Sequence, residues 1–186
     1  MTPTMPHVIE RAVTGRAKCR ACGASIAAGE RRLGERLPNP YAKEDDAETT
    51  HWFHLLCAAF RRPEPLLEAL AADGDVGDDR LALEREARLG VLHRRLPRVS
   101  AAGRAASGQA TCRSCREKIQ KGAWRMALVY YEDGRFTPSG FIHIGCAGAY
   151  FETTDVLARL RHFSSALSDA DFREIEAALA KPGQGI

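Results

Sequence analysis

Residues 19–57 read CRACGASIAAGERRLGERLPNPYAKEDDAETTHWFHLLC, and residues 112–146 read CRSCREKIQKGAWRMALVYYEDGRFTPSGFIHIGC. Each stretch opens on Cys-x2-Cys and closes on His-x2-Cys, so Cys19, Cys22, His54 and Cys57 form one donor set and Cys112, Cys115, His143 and Cys146 form another. Three thiolates with one imidazole are a standard tetrahedral set for structural zinc. The two sets consume all six cysteines of the chain, which favours a doubled metal site over the alternative of buried reduced thiols beside satisfied histidines. The expected cofactor is Zn2+, two per chain. Each half is short of core, so the metal is expected to contribute folding free energy outright.

Sliding the sequence by 93 residues superimposes Gly15 on Gly108, Cys19 on Cys112, Arg20 on Arg113, Cys22 on Cys115, Ile26 on Ile119, Gly29 on Gly122 and Arg32 on Arg125. The His-x2-Cys halves align at an offset of 89, so the first repeat carries four extra residues within LPNPYAKEDDAETT, residues 37–50. The same alignment matches His54 to His143 and His51 to Gly140. His54 is therefore the ligand and His51 an exposed neighbour.

The expected fold class is α+β: two small zinc-stabilised domains, residues 1–100 and 101–186, each a short antiparallel sheet with a CxxC knuckle, an HxxC helix and a C-terminal helical tail. CxxC sets two thiolates on one tight turn, whereas HxxC uses the i, i+3 neighbours of a helix, so HWFHLLCAAF and FIHIGCAGAYF read as first helical turns. RRLGERL and WRMALVYYED read as strands, with a turn signal at Asp133-Gly134. In the first tail Leu81, Leu89, Leu92 and Leu96 recur at helical intervals, interrupted by Arg85, until Pro97 stops the helix. The second tail opens on Ser168 and Asp171, spaced as a capping box, and carries Phe172, Ile175 and Leu179 on one face. Both tails read as core packing over the sheets. VSAAGRAASGQ, residues 99–109, reads as a linker or an entering strand.

The start MTPTMPHVIERAV lacks the apolar region of a secretory signal, and no run of 18 apolar residues occurs. These features argue for reduced thiols, an intracellular site and no membrane partner. The compartment is expected to be nucleoid-associated cytoplasm in a bacterium and the nucleus in a eukaryote. Two zinc ions on three thiolates each lower the formal net charge of +3 to +1, so global charge is uninformative. Local charge is not. Residues 11–36 set Arg11, Arg16, Lys18, Arg20, Arg31, Arg32 and Arg36 against Glu30 and Glu35. Residues 104–125 set Arg104, Arg113, Arg116, Lys118, Lys121 and Arg125 against Glu117 alone. Such patches suit a polyanion, with an ordinary solvated face as the competing reading.

TGRAKCRAC with HWFHLLC, SGQATCRSCREKIQKGAWRMAL with FIHIGC, the lead-in VIERAVTGRAKC and the tail HFSSALSDADFREIEAAL together resemble tandem zinc fingers of the poly(ADP-ribose) polymerase type (PARP-type). The likeness covers nearly the whole chain. Fingers of this kind, found also in DNA ligase III and plant DNA 3′-phosphatases, recognise strand breaks rather than a base sequence. The resemblance implies that one surface grips the phosphate backbone while a loop apposes apolar side chains to an exposed base pair, so that shape is read. It points to Arg16 before the first knuckle, with Gln109 at the matching place in the second, and to the strand arginines Arg32 and Arg125. Lys18, Arg20 and Arg113 lie beside the knuckles.

The first loop carries Lys43, Glu44, Asp45, Asp46 and Glu48 and leaves Pro40 and Tyr41 as apolar contacts, whereas the second offers Tyr131, Phe136 and Pro138 beside Arg135. Base–aromatic stacking contributes about 1–3 kcal/mol per base in single-strand binders. On this reading the second finger senses the base and the first holds the backbone; Tyr131 and Phe136 packing on their own sheet is the alternative. Trp52 and Phe141 read as core residues shielding the metals, and Trp124 as a side chain for DNA or for the other finger.

The functional expectation is a zinc-dependent protein binding DNA with nicks, gaps or ends, acting with DNA-repair proteins and taking no small-molecule substrate. Catalysis is not expected, because four protein ligands close each site and no nucleotide-binding glycine loop is present. The rival reading is a zinc-stabilised protein–protein interaction module that does not bind DNA. Sequence-specific binding is disfavoured, since no helix rich in Arg, Asn and Gln is apparent.

Overall fold

The computed structural model describes residues 7–39, 48–72 and 76–181. The fold is α+β, and the chain divides into two compact units, Met1–Leu92 and His93–Ile186. Each carries one three-stranded antiparallel sheet, β1-β2-β3 in the first and β4-β5-β6 in the second.

In the first unit the strands are β1 (Val8–Arg11), β2 (Arg31–Pro38) and β3 (Glu48–His54), followed by α1 (Leu55–Arg61), α2 (Pro63–Ala71) and α3 (Arg80–Leu92). β2 and β3 pair with Arg32 opposite His54, Gly34 opposite Trp52 and Glu35 opposite His51. Because side chains alternate across a pleat, Arg32, Gly34, Trp52 and His54 share one face, and Leu33, Glu35, His51 and Phe53 share the other. Leu33 and Phe53 are fully buried there, and α1 packs against β2 and β3.

The second unit repeats this plan with β4 (Val99–Arg104), β5 (Trp124–Glu132) and β6 (Arg135–His143), then α4 (Ala147–Phe151), α5 (Leu157–Phe163) and α6 (Asp169–Leu179). The β5–β6 hairpin turns on Asp133 and Gly134, both at positive φ (48° and 75°), the geometry that matches strand twist. Residues 99–104 are the entering strand of the two readings offered by the sequence. This unit begins ahead of residue 100 because the 3-10 turn Leu96–Arg98 packs on β5 and Val99 opens β4. Ser168 caps α6 with a reciprocal box: its hydroxyl accepts from the Asp171 N–H at 3.2 Å, and Asp171 accepts from the Ser168 N–H at 2.9 Å. Phe172 and Ile175 are buried beneath it.

Four expectations are corrected. Neither histidine ligand lies inside a helix: His54 and His143 end strands β3 and β6, and only the following cysteines enter helical turns. A spacing of three fits a strand-to-helix corner as well as a helical turn. His51 is buried on β3, not exposed. α3 faces inward through Leu83, Glu86, Ala87 and Gly90, while Leu81 and Leu92 are 81% and 72% exposed. The inward positions follow the helical period, but small residues occupy two of them and permit close approach to α1 and α2. The helix ends at Leu92, and Pro97 belongs to the following 3-10 turn.

Candidate metal centres and the surface around them

The knuckles are tight hairpins held by the same three backbone bonds. Cys19 N–H donates to Ala24 O, Gly23 N–H to Cys19 O and Ile26 N–H to Ala17 O, each at 2.8 Å. Cys112 donates to Glu117 O (2.8 Å), Arg116 to Cys112 O (3.0 Å) and Ile119 to Ala110 O (2.8 Å) in the second unit. Ile26 and Ile119 are fully buried anchors. The turn requires a left-handed residue, supplied by Gly23 at φ 77° and, at the equivalent place, by Arg116 at φ 70°. Each knuckle is docked to the last strand: Arg20 N–H donates to Trp52 O (2.9 Å) and Arg113 N–H to Phe141 O (2.8 Å).

This docking assembles the ligands. The donor atoms of Cys19, Cys22, His54 and Cys57, and those of Cys112, Cys115, His143 and Cys146, lie within 4.8 Å of one another in each set. Nδ1 of His54 is 3.4 Å from Cys22 Sγ and 3.9 Å from Cys57 Sγ, and His143 stands at the same 3.4 and 3.9 Å from Cys115 and Cys146. Zinc–ligand bonds of about 2.0–2.3 Å imply tetrahedron edges of about 3.3–3.8 Å, so both sets fit one tetrahedral ion held through Nδ1. Nε2 of His54 points away, 3.4 Å from Ser25 O and 3.8 Å from Glu30 Oε1, which fixes the ring.

The thiols are electrostatically in conflict without a cation. A hydrogen bond from Cys57 draws Cys19 down to about 4, helped by N–H groups including that of His54, and Cys57 is pushed far up in return. Burial raises Cys112, but the N–H groups of Cys115, His143 and Ser114 outweigh it and bring it to about 7, while burial and then the Cys112 charge push Cys146 up to about 12. Thiolates this close repel one another, and a divalent ion offsets that repulsion. The two clusters are thus positioned to hold two zinc ions per chain, and the units are small zinc-stabilised domains.

The strand arginines differ between units. Arg32 is only 8% exposed; Nε and Nη2 donate to Glu10 Oε1 at 3.1 and 2.6 Å, and the guanidinium stacks 3.6 Å above Trp52. Arg125 stacks 3.7 Å above Phe141, is half-buried, and faces Gly103 where Arg32 faces Glu10. Trp52 and Phe141 are therefore half-exposed platforms for arginine rather than core. Trp52 lies flat across Gly34, where an added Cβ would meet Cζ3 at 2.7 Å, and the smaller Phe141 sits opposite Ala127.

Arg16, Lys18 and Arg20 are exposed around the first knuckle, and Gln109 and Arg113 around the second. The Gln109 backbone carbonyl accepts from Lys118 Nζ at 2.8 Å. Arg135 is exposed, and Tyr131 and Phe136 are half-buried partners across β5–β6 with ring centroids 4.7 Å apart. Trp124 is tied to its own unit, donating Nε1–H to Glu174 at 2.9 Å with Arg104 4.3 Å above the ring. The Trp124 N–H and then Arg104 hold the Glu174 carboxyl below its usual range. Pro40, Tyr41, Lys43, Glu44, Asp45 and Asp46 lie outside the described residues.

Sequence reasoning missed Glu10, Glu35 and Arg62. Glu35 is fully buried and accepts from Arg62 Nε at 2.9 and 3.1 Å and from Arg62 Nη2. Alternation in VIER sets Glu10 on the face of Val8, but only the β1–β2 register pairs it with Arg32.

No protein-family model matches the chain. The chain is 28% identical over 142 residues to poly(ADP-ribose) polymerase 1 of Gallus gallus and 26% identical over 145 residues to a poly(ADP-ribose) polymerase of Drosophila melanogaster. These alignments cover 68% and 69% of this chain but 14% of each relative, so the chain spans about a seventh of their length. The similarity is distant and partial, and together with the two Cys3His clusters it is consistent with zinc fingers of the polymerase's type.

Proposed function

We propose that this protein is a tandem zinc-finger module of the poly(ADP-ribose) polymerase type that binds DNA at nicks, gaps or ends without sequence specificity. The carrying observation is the paired Cys3His scaffold in which each knuckle, ringed by exposed cations, docks on a strand bearing an arginine stacked on an aromatic ring. Backbone contacts of this kind position a protein on a duplex but carry no base information. The distant similarity to poly(ADP-ribose) polymerases supports the same reading. Arg16, Lys18, Arg20 and Arg113 are assigned to phosphates, with Gln109 as a neutral donor, and Tyr131, Phe136 and Arg135 to the exposed base pair. Two linked sites gain from effective concentration when both engage one discontinuity.

No reaction is assigned to the chain, since four protein ligands leave no open position on either ion. It works with DNA-repair proteins at the nucleoid of a bacterium or in a eukaryotic nucleus. A protein-interaction role remains the second reading for the first unit, where Glu10 engages Arg32. Binding to intact, nicked, gapped and blunt-ended duplexes of one sequence at two salt concentrations tests the proposal. Tighter binding to the discontinuous duplexes, weakening with salt, is expected; equal affinity for closed and nicked circles removes it.

A further inference from the structure

We infer that Glu10 withholds Arg32 from phosphate, so that Arg125 of the second unit is the strand arginine through which this protein grips a polyanion. The inference rests on the DNA-binding reading above and moves the strand-arginine share of the backbone grip from the first finger to the second, leaving the knuckle cations of both in place.

The two arginines are equivalent by register, each opposite its ligand histidine, Arg32 with His54 and Arg125 with His143. Each lies on the face that carries the metal ligand, stacked on the aromatic residue two positions before that histidine. Their other neighbours differ. Glu10 stands opposite Arg32 on β1, and both Nε and Nη2 donate to its Oε1. The matching position on β4 is Gly103, and among the described residues Arg125 has no ion pair.

A phosphate approaching Arg32 must displace a carboxylate already making two charge-assisted hydrogen bonds, and then meets that carboxylate's negative charge. A phosphate approaching Arg125 finds a guanidinium whose planar fork is held by the ring below and which, among the described residues, no carboxylate engages. Equivalent positions in the sequence thus have unequal electrostatic value. Each phosphate contact contributes about one unit to the slope of log affinity against log salt, which makes the difference measurable.

The design of Gly103 permits a reciprocal test. A Cβ added there meets nothing within 4 Å, and its φ lies outside the left-handed range, so Gly103→Glu is sterically free to place an acid opposite Arg125. Nicked-duplex binding over a salt series, and elution salt from a heparin column, are measured for the wild type, Glu10→Gln, Gly103→Glu, Arg125→Gln and Arg32→Gln, with zinc content confirming folding. Glu10→Gln should tighten binding roughly threefold to tenfold, steepen the slope by about one and elute later. Gly103→Glu and Arg125→Gln should shift all three readouts the other way, and Arg32→Gln should leave the slope unchanged. A slope lowered by Arg32→Gln and untouched by Arg125→Gln overturns the inference, as does failure of heparin to retain the wild type. Equal affinity for nicked and intact duplex instead removes break recognition, while the order of elution still reads out Glu10 and Arg125.

Discussion

At one core position the first unit gathers polar side chains where the second places apolar residues. Glu35, His51 and Arg62 in one correspond to Leu128, Gly140 and Phe151 in the other, by the same offsets that align the metal ligands, and Glu35 faces His51 as Leu128 faces Gly140. Leu128 and Phe151 are buried without polar obligations. Glu35 is equally buried and is met by the Arg62 guanidinium. Burial lowers the pKa of His51, and Arg20 lowers it further, while Glu35 pulls it up. One scaffold thus tolerates both chemistries at one core position, provided the metal and the knuckle are kept. What differs is vulnerability: an apolar core loses contacts when truncated, whereas a buried ion pair leaves a stranded charge.

The largest expected effect would break the comparison by erasing what the units share. Cys57→Ala and Cys146→Ala should each abolish one site and unfold the unit that holds it, since structural zinc contributes roughly 10–16 kcal/mol to folding in small finger peptides. Zinc per chain should fall from two to one, and amide exchange should lose protection in that unit alone. Loss of both ions from either variant would show that the metals are not independent.

Next in size, Arg62→Ala should destabilise the first unit by about 1–3 kcal/mol by removing the guanidinium that meets the buried Glu35 carboxylate. Grafting the second unit's residues as Glu35→Leu with His51→Gly and Arg62→Phe should recover most of that loss in thermal unfolding. No recovery would mean that the polar cluster orients the sheet in a way that apolar packing cannot replace.

The smallest effect sharpens the knuckle comparison. Arg116 holds the left-handed turn that Gly23 occupies without strain, so Arg116→Gly should stabilise the second unit by about 1 kcal/mol. Gly23→Ala should cost the first about as much. An Arg116→Gly variant that melts lower would reveal a contact of this side chain that outweighs the backbone.

The parts legible in the sequence are those set by short spacing. The donor sets, strands β2 and β5, the Asp133-Gly134 turn and the Ser168 cap each depend on neighbours within a few residues. The zinc pattern also conveyed the fold class, because two half-sites far apart in sequence must meet. Features decided by cross-strand register were not legible. In sequence Arg32 reads as a phosphate-gripping cation, yet β1 brings Glu10 opposite it; Trp52 reads as core, yet its ring lies against Gly34 under a guanidinium. The inner face of α3 is hidden in the sequence for another reason. Leucines at helical intervals signal a buried stripe only when packing needs volume, and here Ala87 and Gly90 take the inner side. His51 followed the same logic, since its match to a glycine suggested dispensability rather than replacement of one core by another.

His54 and His143 each stand at the final residue of a strand, with the next thiolate three positions into the chain's turn away from it. An ion bound to such a histidine and to the cysteine that follows it acts as a bracket at a corner, fixing the angle between the departing helical segment and the β-ribbon. Substituting a metal with longer bonds would therefore lever that corner open, moving the aromatic-and-arginine platform on one side and the helices on the other as a single mechanical response.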